Sequence, residues 1–221
     1  MQLKKTMLVS LILNSITAIF EIAALIIMFI GFGDEQHAAS SFHMFQFFTN
    51  DSNILLLLAA LFLIYFEVKS LITKTDSIPN WVYVFKLLAS VGTTLTFLTV
   101  MFYLLPVVGV GMIGTFGMAS LHIVCPLAAM ISFIFFENGE KIVFKSVFLG
   151  IVPAAIYALI IVPLVAAKLI ESPYPFTDVI NNPAYISVIA AFAIIIVTFL
   201  CSLGLWKLNQ LFYKKVTLKL D

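Results

Sequence analysis

Apolar residues run along this chain in six long blocks, each broken by a short polar stretch. The blocks cover about residues 7–31, 43–66, 82–105, 115–136, 143–168 and 185–208. At 1.5 Å of rise per residue, each is long enough to cross a hydrocarbon layer of ~30 Å. The pattern therefore predicts an all-α, polytopic membrane protein of six transmembrane helices in one domain, residues 1–221. The first block follows Lys4 and Lys5, as a signal peptide would. It continues to Gly31 without a small-x-small cleavage site, so it reads as a first membrane span.

Within the blocks, the polar residues fall at helical spacing. Ser10, Asn14, Thr17 and Glu21 step by four, three and four, which puts them on one face of helix one. Glu21 is about ten residues from the outer end, roughly 15 Å deep. In helix two, Thr49, Ser52 and Asn53 share a face, and Asp51 points elsewhere, nearer the surface. These residues are either an N-cap cluster at the water boundary or part of a buried site. The aromatic run from Phe42 to Phe48 favours burial, because it starts the helix near His43 and puts Thr49 roughly 9 Å inside. Helix three carries Ser90, Thr93, Thr94, Thr96 and Thr99, hydroxyls expected to bond back to their own backbone. Helix four presents Thr115, Ala119, His122, Cys125 and Ala129 along a narrow face. Pro126 has no N–H for the carbonyl of His122, so a kink and a free acceptor are expected beside the imidazole.

Composition confirms the solvent and sets the orientation. The chain is 62% hydrophobic and only 10% charged, against roughly a quarter charged in an average soluble domain. The net charge of +1 gives no footing for nucleic acid. All twelve basic residues are lysines, and eleven of them fall at the N-terminus, between spans two and three, between four and five, or after six. Lys86 is counted in this group, and Lys168 is the exception. The positive-inside rule then places both termini in the cytoplasm. Richness in Ile, Phe and Lys fits an AT-rich bacterial genome and so the plasma membrane of a bacterium. The tail after span six reads as an interfacial extension of that helix. Cys125 and Cys201 lie within spans and have no partner at metal-site or CxxC spacing. No metal or cofactor is implied.

Ionisable groups within spans are costly and mark where function is sought. Thr49 and His122 are at similar depths on one side, and a hydroxyl with an imidazole is the minimal nucleophile–base pair for acyl transfer. Glu21 or Asp51 could orient the imidazole. Asn14 and Asn53 are candidate cavity-lining groups, and the Asn50 or Asn53 amide is a candidate oxyanion donor. The segment Glu171–Tyr185, with three prolines, is an ordered outer loop or a lid.

At FFTNDSN and LHIVCP the chain resembles the bacterial relatives of the androgen-induced-gene family of intramembrane hydrolases. That resemblance implies six spans and a membrane-embedded Thr and His that cleave fatty-acid esters of hydroxy fatty acids. Phe48-Thr49 matches the family's Thr site, and His122 with Pro126 matches its helix-four His. The run from Tyr174 to Asp178 is similar to the aromatic-Pro segment before helix six. The chain departs from the animal enzymes in lacking their second nearby His, since Leu121 and Ile123 flank His122. The expected partners are membrane lipids and a lipid-ester substrate, with no protein partner specified. Two other functions fit a six-span chain of this size: a substrate-capture subunit of a membrane transporter, and a structural membrane protein. The first needs a small-residue docking face on helix one, and Ala18, Ala23 and Ala24 do not repeat every four residues.

Overall fold

Six helices long and apolar enough to cross a membrane run through the computed structural model, which describes residues 2–31, 41–75 and 78–217. Helix one spans Gln2–Ile30 and helix two Phe48–Thr73. Helix three runs from Asn80 to Val108, and helix four from Phe116 to Phe135. Helix five consists of Ser146–Leu149 and Val152–Ala166, and helix six of Ala184–Thr217. Helix one packs on two and four, and helix three packs on two, four and six. Helix five is more peripheral, touching two, three and six.

Polarity is turned inside out relative to a soluble bundle. Ser10, Asn14, Thr17 and Glu21 are all buried, and Leu8, Ile12, Ile16 and Ile19 of the same helix are exposed. Apolar surface costs nothing against lipid, whereas an unpaired polar group costs several kcal/mol there, on the order of a lost hydrogen bond or more. The expected 4-3-4 face is thus the core face of helix one. Small residues let the central helices approach closely: a Cβ on Gly92 of helix three would stand 3.1 Å from the Ser52 Cβ of helix two. Thr93 and Thr94 bond back to the Ala89 and Ser90 carbonyls, as expected for membrane hydroxyls.

Helix two starts later than its aromatic lead-in suggests. Ser41–Gln46 form a 3-10 turn, and the α-helix begins at Phe48 instead of near His43. Thr49 therefore sits in the first helical turn. The polar cluster is not an N-cap either, because Phe47 occupies that position and Ser52 and Asn53 bond back to the Thr49 carbonyl. The helix also runs on to Thr73, one to two turns past the expected end.

Two prolines act alike. Pro126 follows a π-turn over Ser120–Val124, and Pro106 follows one over Val100–Leu104. In each, the residue just before the proline reaches back five positions, Cys125 to the Ser120 carbonyl and Leu105 to the Val100 carbonyl. A widened turn absorbs the missing N–H and the ring clash, so the expected kink at Pro126 is realised as a bulge that includes His122.

Candidate functional site

The two ends of the bundle hold different polar sites. At the end where helices two, four and six begin, the loop before helix six folds back onto the start of helix two. Tyr174 anchors it, with rings at 6.0 Å from Phe47, 6.4 Å from Tyr157 and 5.1 Å from Phe176. Thr177 closes the turn by donating to the Tyr174 carbonyl at 2.9 Å, and Asn182 donates to the Pro175 carbonyl at 2.6 Å. The Asp178 carboxylate accepts from the Asn181 side chain and from the N–H groups of Asn181 and Ile180. These bonds hold it below the usual carboxylate range, the Asn181 side chain contributing most.

The phenol oxygen of Tyr174 is what this loop brings to helix two. It interacts with the Thr49 side chain and with the backbone N–H groups of Phe48 and Thr49. Those N–H groups belong to the first turn and have no carbonyl of their own helix to bond. Part of the Tyr174 ring remains accessible, but its phenol end is enclosed, and that burial pushes its ionisation up to about 12. Tyr157 donates to the Gln46 carbonyl at 2.6 Å just before the helix. Behind these groups lies a cavity of about 80 Å³, lined by Thr49, Thr96, Thr99, Tyr157, Tyr174 and Phe176 together with aliphatic side chains. Asp51, partly buried, lies within electrostatic range of both tyrosines.

His122 is buried on the π-turn of helix four and is not among the residues lining that cavity. The link between the two is Asn53. Its amide donates to the Thr49 carbonyl at 2.7 Å and to the Leu121 carbonyl at 3.1 Å. One side chain thus ties the Thr49 turn to the His122 turn. The other asparagine, Asn50, donates to the Met44 carbonyl at 2.8 Å. Asn53 thus spends both of its N–H donors on backbone carbonyls, whereas the bond to Met44 uses one of the two on Asn50. The N–H groups of Phe48 and Thr49 at the helix start are donors beside Thr49 as well.

At the opposite end lies a buried ionic network. Lys86 of helix three donates to the Asn14 Oδ1 at 2.6 Å and is 3.7 Å from the Glu137 Oε1. Asn14 in turn donates to Glu137 at 2.9 Å, and Ser132 also hydrogen-bonds Glu137. Glu67 interacts with Ser10, Lys86 and Glu137. Glu21 is fully buried within electrostatic range of Lys86, and neither of its oxygens has a hydrogen-bond partner among the described residues.

The expected site residues therefore separate. Thr49, Asp51, Asn53 and His122 gather at one end and Asn14 belongs to the Lys86 network, while Glu21, within range of Lys86, stands on helix one between Thr17, whose carbonyl accepts from Cys125, and Ala24, which packs with Leu121 beside His122. Lys86, assigned by position to the flanking lysines, is fully buried and internally paired. Its signal in the sequence is a lysine some seven residues inside an apolar helix, with Glu67 and Glu137 at matching depth. Among the described residues, no group of three or more His, Cys, Asp or Glu is placed to hold a metal ion. Comparison with known protein families, curated proteins and solved structures found no match to this chain.

Proposed function

We propose that this multi-pass membrane protein is an intramembrane hydrolase or acyl transferase for apolar esters, with Thr49 as nucleophile and His122 as base. The observation that carries the reading is the Tyr174 phenol oxygen. It marks a position that faces a hydroxyl and two unsatisfied helix N–H groups at once. A carbonyl oxygen placed there would gain negative charge as Thr49 adds to its carbon, and the helix start favours an anion. Thr49 Oγ would bond to the acyl carbon and pass its proton towards the imidazole. The ester C–O bond would then break, and the leaving alkoxide would take the proton. Water would release the acyl group by the same steps in reverse. The aromatic and aliphatic cavity suits the acyl chain, and the resemblance at FFTNDSN and LHIVCP points the same way. In this reading the membrane is the bacterial plasma membrane and both termini are cytoplasmic.

The test is labelling of purified protein by a lipophilic fluorophosphonate. Wild type and Thr49→Ser are expected to label, whereas Thr49→Ala and His122→Ala at unchanged thermal stability are not. An unlabelled wild type, under conditions where a known membrane hydrolase reacts, rejects the enzyme reading in favour of a binding subunit or structural protein.

A further inference from the structure

A second cavity, of about 220 Å³, lies at the end opposite the Thr49 site, beside the ionic network. Glu67 forms part of its wall and is 2% exposed, yet its Oε2 has no hydrogen-bond partner among the described residues. The network behind it cannot supply a charge. Among the described residues, Lys86 is the one ammonium in that network, and it is shared among Glu21, Glu67 and Glu137. A buried carboxylate without a cation is strongly disfavoured, so a cation brought into the cavity would have Glu67 as its partner.

The remaining walls say what kind of cation would be accepted. Phe135, Phe136, Leu71 and Ile78 give the cavity apolar and aromatic walls, and Thr6, Ser70, Thr75, Tyr83 and Asn138 add neutral polar groups around its one carboxylate. That suits an organic ammonium, which gains from both a carboxylate and ring faces. At the rim stands Lys74, exposed, the left-handed residue that caps helix two just past its end, seven residues on from Glu67. A cationic rim above an anionic floor matches a zwitterion with its ammonium inward and its phosphate outward. The volume holds roughly seven water-sized groups at ~30 Å³ each, the scale of a phosphoethanolamine.

We propose that this cavity binds a phosphoethanolamine group, its ammonium on Glu67 and its phosphate on Lys74. The group is carried by a membrane phospholipid or by free phosphoethanolamine. The site is independent of the Thr49 chemistry. Native mass spectrometry of the full chain in detergent tests it, with short-chain phosphatidylethanolamine, phosphatidylglycerol and soluble phosphoethanolamine as probes. Wild type is expected to hold phosphatidylethanolamine about tenfold more tightly than phosphatidylglycerol, the scale of one charge-assisted hydrogen bond. Glu67→Gln should bring that preference to within about twofold. Lys74→Ala should weaken phosphatidylethanolamine by about threefold, a rim contact being screened. Leu71→Trp, which fills the cavity from a partly exposed position, should abolish binding; these last two variants keep the test decisive if Glu67→Gln does not fold. Competition by soluble phosphoethanolamine at equal concentration assigns the free compound, and its failure to compete assigns the lipid. Equal retention of the two lipids by wild type, or unchanged binding in Leu71→Trp, overturns the proposal.

Discussion

The two ends of this bundle meet the same constraint with opposite chemistry. At the Lys86 end, full charges are sealed among helices and answered by one another, through Asn14, Ser132 and Glu137. At the Thr49 end no carboxylate or ammonium is buried among the described residues, and Asp51 stays partly exposed. Neutral hydroxyls meet the unsatisfied N–H groups at a helix start, and a loop closes over them through Tyr174. The first arrangement can be broken only by removing a partner within the helices. The second is closed from outside, by one loop. That difference suits a structural anchor at one end and an accessible reactive surface at the other.

The sharpest way to break the comparison is Lys86→Met. It leaves Glu137 and the Asn14 oxygen buried without their cation, a loss of about 3–5 kcal/mol for one partner of a buried pair. Heating in detergent with a thiol-reactive dye would report it, because Cys125 is buried and Cys201 partly so until the bundle opens. The double variant Lys86→Met/Glu137→Gln should recover at least half of the loss. No recovery would mean that Lys86 supports the bundle by packing its stem and not by its charge.

The Thr49 end should fail at alkaline pH instead. Burial raises the Tyr174 phenol to about 12, against about 10 in the unfolded chain. The folded form thus holds this proton more tightly. Its contribution is fully present below pH 10 and is lost as pH rises from 10 through 12. Two units correspond to roughly 2–3 kcal/mol. Melting temperatures of wild type and Tyr174→Phe across that range are the measurement. The wild-type curve should fall between pH 10 and 12, and the Phe variant should lack that component.

Gly139→Ala sharpens the comparison from the other side. A Cβ there would collide with the Tyr83 hydroxyl, at the wall of the Glu67 cavity. Overpacking of this kind costs about 1–3 kcal/mol. The melting temperature should fall while fluorophosphonate labelling at Thr49 persists in the folded fraction. Joint loss of both would show that the two ends are not independent.

How much of this was legible in the sequence follows from where each group's partner lies. The face of Ser10, Asn14, Thr17 and Glu21 was readable because helical spacing is local. Position alone places Lys86 among the flanking lysines, because topology counting asks only how near a lysine lies to a span boundary, whereas its partners come from helix one and from the segment just after helix four. Glu67 and Glu137 sit at span ends and pass for interface residues until the bundle closes around them. The start of helix two was set too early, because the aromatic run fits a 3-10 turn as well as a helix. The contact of Tyr174 with helix two joins residues more than a hundred positions apart, and no local pattern encodes it. Pro126 marks a disturbance at His122, and the same widened turn before Pro106 ties its form to the proline itself.

The smallest effect expected concerns the link between Thr49 and His122. Asn53→Ala removes the amide that bonds both the Thr49 and the Leu121 carbonyls. Side-chain hydrogen bonds inside membrane bundles average well below those in water-soluble cores, so the loss should be about 1 kcal/mol. That small cost makes the variant informative, since the fold survives while the two turns are uncoupled. If His122 takes its proton from Thr49 only when their turns are held together, labelling should slow by more than the stability loss accounts for. Asn53→Asp would not rescue it, because a carboxylate cannot donate to either carbonyl. Labelling at the wild-type rate in Asn53→Ala would show that the link only packs helix two against helix four, and that the Thr49 end works without it.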